Sequence, residues 1–251
     1  TPPLRLWQLA AEVAKEFATR CPDGGIAEEL LPKLLAATAA MVKPAVLAHG
    51  ADGLQQTTIP QAVAAIAAKT AVHDSSAVAD AARALVQTLA GSEESPIAPA
   101  ARQVLGCWWS ILQALPEGTA DPTAGLDELL ALLSPPGGTV SSAVLEGLQG
   151  VCGSTPSPAR SRVLAASSPV LLGVLLDSAQ RGAEAVALPV LRTLLVYFLS
   201  VEADKQAPFL SMLLPVSVAL LGVDQQTAPS LRAPLVQSLL HLARSAPAPF
   251  R

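Results

Sequence analysis

The chain contains no asparagine, and with that residue goes every N-glycosylation acceptor. Charge is sparse as well: Asp, Glu, Lys and Arg make up 14% of the residues, against about 25% in an average globular domain. The basic residues are scattered singly and the net charge is −4, so there is no stripe to neutralise phosphates and nucleic acid is not an expected partner. Aromatic residues reach only 3%, which argues against a core built from sheets. The three cysteines, Cys21, Cys107 and Cys152, are odd in number and far apart. They make neither a disulfide framework nor a CxxC metal site, and a reducing cytoplasmic compartment suits them.

Catalytic motifs are missing too. The sequence has no GxSxG elbow, phosphate-binding loop, GxGxxG, HExxH or EF-hand loop. Its only imidazoles are His49, His73 and His241. His49 and His241 stand near helix C-termini, where a cation suits the dipole. His73-Asp74 precedes Ser75-Ser76 and so supplies all three triad residue types, but neighbours at a tight helix entry do not reach relay geometry. Capping by Asp74 or Ser75 is the expectation there. Glu28-Glu29 and Glu93-Glu94 lie near helix starts, where negative charge offsets the dipole. No catalytic, cofactor-binding or metal-ligating residue is assigned, and the protein is expected not to be an enzyme.

What remains is apolar and helical. Hydrophobic residues make up 51% of the 251, dominated by the strong helix formers Leu and Ala. Leu6, Leu9, Ala10, Val13 and Phe17 recur every three or four residues behind Pro2-Pro3, which predicts a first helix with these as its apolar positions. A second is expected over 26–47, with Leu30, Leu31, Leu34, Leu35, Thr38 and Val42 inward and Pro44 kinking its last turn. Further helices are expected over 59–68, 75–89, 96–115, 126–133, 140–151, 158–164, 170–180, 183–199, 206–221 and 229–244. One of Trp108 and Trp109 is expected inside and the other partly exposed, because adjacent helical residues point about 100° apart. The result is an all-α chain of eleven or twelve helices, whose short joints make sequential helices antiparallel neighbours. Residues 152–162 form the most polar and proline-rich joint and are the candidate hinge.

A spacing of roughly 35 to 50 residues per helical pair is that of HEAT and armadillo repeats. Glu28-Glu29-Leu30-Leu31-Pro32-Lys33-Leu34-Leu35 and Ala187-Leu188-Pro189-Val190-Leu191-Arg192-Thr193-Leu194-Leu195 resemble first helices of HEAT units. The stretch from Asp74 through Val78 to Arg83-Ala84-Leu85 resembles a second. Asp and Arg do not recur at the consensus positions, so the repeats are degenerate. The overall texture is also similar to the HEAT-like regions of large cytosolic scaffolds of the focadhesin type. The resemblance implies one right-handed α-solenoid region over 1–251, a segment of a longer protein, that binds protein partners and needs no cofactor.

Two local features stand out. The stripe Leu191, Leu194, Leu195 and Phe198 is either core or a groove for a partner helix. Ser157, followed by Pro158 and Arg160, resembles a proline-directed phosphorylation site, where phosphate would meet Arg160 and Arg162. The uncharged stretch 206–223 supports a second functional class, a membrane-trafficking or lipid-associated helical domain. Pro208, Pro215 and the lack of a basic collar count against it.

Overall fold

The computed structural model describes residues 3–22, 24–56, 58–90, 100–116, 118–133, 139–201, 203–222 and 229–245. These residues form twelve α-helices and no strand. The packing sorts eleven of them into two rows. One row runs α1 (Leu4–Arg20), α4 (Ile59–Thr70), α6 (Ala101–Ala114), α8 (Thr139–Gly153), α10 (Glu184–Ser200) and α12 (Pro229–Ser245), each packed on the next. The other runs α2 (Gly25–Ala40), α5 (Ser75–Gln87), α7 (Leu126–Ala131), α9 (Pro158–Gln180) and α11 (Ala203–Gly222). The twelfth, α3 (Val42–Gln56), lies against α1, α2, α4 and α6.

The rows interlock in a repeated way. Helix α2 packs on both α4 and α5, α5 on both α6 and α7, and α9 on both α10 and α11. These second-row helices therefore contact the next helix of each row. Their buried residues are aliphatic at helical spacing: Ala27, Leu31 and Leu35 on α2, Val78, Ala82 and Leu85 on α5, and Val163, Leu171 and Leu175 on α9. Burial of each such Leu or Val side chain contributes about 1.5–3 kcal/mol.

Local chemistry sets the helix ends. Asp74 Oδ1 accepts the N–H of Ala77 at 3.0 Å and caps α5, which satisfies a backbone donor that the helix itself leaves free. Gly182, at φ 69°, ends α9. The Ala183 N–H then reaches Ser178 O at 2.8 Å and the Gly182 N–H reaches Ala179 O at 3.2 Å, the paired bonds of a left-handed helix stop. Gly125, at φ 79°, precedes α7; a Cβ there would stand 3.3 Å from both Arg83 Cα and Trp108 Nε1.

Several boundaries differ from those read off the sequence. The second expected helix is two, parted at Met41, so Pro44 sits in the first turn of α3 and kinks nothing. The break expected around Gly50 is present: at φ 68° and ψ −170° this residue kinks α3 into two helical segments. Helix α9 runs unbroken through Pro169, where two helices were expected. An interior proline costs about 3 kcal/mol of helix propensity, and α9 carries it because Val163 and Leu164 before it and Leu171, Leu172 and Leu175 after it are all buried. The candidate hinge shrinks to 154–157, with the rest of 152–162 helical.

Candidate binding surfaces

The residue types that chemistry would need are dispersed. Among the described residues no three of His, Cys, Asp and Glu converge on a shared point. Asp74 is committed to the α5 cap, and Glu29 pairs with Lys33 at 2.8 Å one turn along α2, which holds its carboxyl below the usual range. Glu93 and Glu94 lie outside the described residues. His49 and His73 are half-buried and His241 is exposed, each on a separate part of the chain. All three thiols are buried. Burial pushes those of Cys107 and Cys152 up to about 12, with Ser200 and Arg160 partly offsetting it at Cys152, so neither is a thiolate near neutral pH.

The stripe on α10 belongs to the core. Leu191, Leu194 and Phe198 are 0–2% exposed and Leu195 is half-buried against them. The Phe198 and Phe209 rings meet at 5.8 Å, which ties α10 to α11. Beside them the buried Tyr197 hydroxyl meets Ser167 Oγ at 2.9 Å, and Ser167 donates onward to Val163 O. Burial raises the Tyr197 phenol well above its ordinary value. Three of the four residues of this stripe are thus closed to a partner helix.

The open apolar face lies at the other end, on α1. Leu6, Leu9, Val13 and Phe17 are 54%, 55%, 62% and 40% exposed, whereas Ala11, Ala14 and Ala18 are buried. The helix thus turns its alanine stripe to the stack, where small side chains allow close approach to α3 and α4, and leaves the larger stripe outside. With Leu30 and Leu34 of α2 the exposed stripe lines a groove of about 790 Å³. From Leu6 to Phe17 it is about 16 Å long, three helical turns.

A second concavity, of about 360 Å³, lies between α9 and α11. Leu164, Ala165, Val201, Pro208, Phe209 and Met212 make its apolar lining, and Arg160 forms part of its wall. Arg160 is only 7% exposed. Its guanidinium donates to Ser154 O at 2.9 Å and to Ser200 O, fastening the 154–157 joint to the end of α10. Ser157 is half-buried and caps α9, its Oγ accepting the Arg160 N–H at 3.2 Å. Sequence reading found Arg160 only as a neighbour of Ser157; its burial was not legible there.

Two helical stretches, Gly25–Gly50 and Pro158–Gln180, are long and apolar enough to cross a membrane. Gly25–Gly50 is parted by the turn at Met41, and half of the most apolar window of Pro158–Gln180 is buried inside the protein. The uncharged stretch 206–223 falls short of that length: Gln206–Leu221 is a shorter apolar helix, and Val223 lies outside the described residues.

No family model, curated protein or solved structure matches the chain. Function has to be argued from these surfaces alone.

Proposed function

We propose that the chain is a non-enzymatic α-solenoid segment of irregular HEAT-like hairpins, a cytoplasmic scaffold or adaptor that binds protein partners through its helical surface. The observation that carries this reading is the exposed stripe Leu6, Leu9, Val13 and Phe17 beside Leu30 and Leu34. In stacked-helix proteins each unit buries its apolar face on a neighbouring helix, and an exposed apolar stripe marks a surface that another helix covers. The occupant is an amphipathic helix of a partner polypeptide with aliphatic residues at i, i+4 and i+8, the spacing of the buried Ala27, Leu31 and Leu35 on α2, which packs on α4 and α5. Ser157 is the regulatory position of this reading: a phosphate at the α9 cap would accept the helix's free N–H groups and meet Arg160.

The test compares the protein with its Leu9→Asp/Val13→Asp double variant. Both positions are more than half exposed, so the melting temperature is expected to stay put. The wild type is expected to retain from cytosol a stoichiometric protein partner that the variant releases, with hydrogen exchange mapping the bound segment to an amphipathic helix. Equal retention by the two forms removes the groove as the binding site. Flotation of the wild type with liposomes, without a protein partner, favours the lipid-associated class. Concentration-dependent dimers abolished by the variant identify a second copy as the occupant.

A further inference from the structure

From the cavity between α9 and α11 we infer a second binding site, for a small amphiphile with a carboxylate head and an aliphatic tail, of the medium-chain fatty acid class. Charge is the first ground. A buried cation is costly unless an anion or a full set of acceptors compensates it, and among the described residues the guanidinium of Arg160, 7% exposed, has only the carbonyls of Ser154 and Ser200. It forms no ion pair with a carboxylate among the described residues. A guanidinium carries five N–H donors in a planar fork matched to a carboxylate, so two carbonyls leave donors over.

The second ground is position. Pro156, Arg160 and Ser161 place that end of the cavity at the first turn of α9, a helix of 23 residues whose N-terminus favours an anion. The third is the lining: besides Arg160 it is mostly apolar, with Leu164, Ala165, Val201, Pro208, Phe209 and Met212, and the one hydroxyl among its fully buried side chains, that of Ser168, is already given to Leu164 O. A cavity of about 360 Å³ is at the small end of small-molecule sites and leaves room for a short aliphatic chain. One cation in an otherwise mostly apolar wall describes an amphiphile. A polar metabolite would leave its remaining groups unpaired against the apolar wall.

The test titrates the intact protein with decanoate, decanol and acetate below their aggregation limits, by calorimetry. Decanoate is expected to bind saturably at one site, decanol at least tenfold more weakly because it lacks the charge, and acetate not measurably because it lacks the tail. Arg160→Gln is expected to bring decanoate down to the level of decanol. Since Arg160 also holds the 154–157 joint, a second variant fills the cavity from its exposed side: Ala165→Trp keeps Arg160 and its carbonyl partners and is expected to abolish decanoate binding with the melting temperature unchanged. Equal binding of decanoate and decanol overturns the role of Arg160. Undiminished binding in Ala165→Trp places the ligand elsewhere, the α1/α2 groove included, and overturns the site, as does the absence of saturable decanoate binding.

Discussion

Trp108→Ala is expected to lower the unfolding free energy by about 3–5 kcal/mol, the usual cost of removing a large aromatic from a packed core. The indole is 1% exposed on α6, which packs on α3, α4, α5, α8 and α9. Its Nε1–H donates to Ala124 O at 2.9 Å, so truncation also strands a buried carbonyl, itself worth about 1–3 kcal/mol. Trp108→Phe keeps most of the packing and loses the donor, and is expected to cost less than the alanine. Guanidinium denaturation followed by circular dichroism measures both. Because α6 joins α4 to α8 in the row from α1 to α12, weakening it is also expected to split or broaden the transition as the helices on its two sides uncouple. A loss under 1 kcal/mol in a single sharp transition would contradict this packing.

The second large effect separates two stripes that look alike in sequence. Phe198→Ala is expected to cost about 3–5 kcal/mol, since the ring is fully buried and packs against Phe209 at 5.8 Å. Val13→Ala removes a side chain that is 62% exposed, and its effect is expected to stay within about 0.5 kcal/mol, as for surface substitutions generally. The same denaturation experiment reads both. If Val13→Ala destabilised as much as Phe198→Ala, the α1 stripe would be core and the groove would not be open.

These two stripes also show what sequence reading reaches. Periodicity finds an apolar face because 3.6 residues per turn align i, i+3, i+4 and i+7, and on that basis the all-α class, most of the twelve helices, a cap at Asp74 or Ser75 and the burial of one of the two adjacent tryptophans were legible; that Asp74 is the cap and Trp108 the buried ring took the structure. Periodicity does not say which neighbour covers the face. Helix α1 has two stripes, one of Leu, Val and Phe and one of Ala, and the stack takes the alanines because α4 lies close. Transfer energetics alone would have put the larger stripe inside. Proline misled for a related reason: local propensity ends a helix at Pro169, while burial on both sides carries α9 through it. Arg160 gave no signal, since a lone arginine after Ser-Pro reads as solvated and its burial depends on the end of α10, forty residues away.

The measurement closest to the central claim, that the open apolar face is on α1 and not on α10, is native-state labelling with maleimide of single cysteine variants. The three native thiols are 7%, 0% and 4% exposed, so the wild type is expected to take up no label until it is denatured. Val13→Cys is expected to gain one label at the rate of a free thiol, and Leu191→Cys, at a position 2% exposed, to gain none before unfolding. Fast labelling of Leu191→Cys with protection of Val13→Cys would contradict the account.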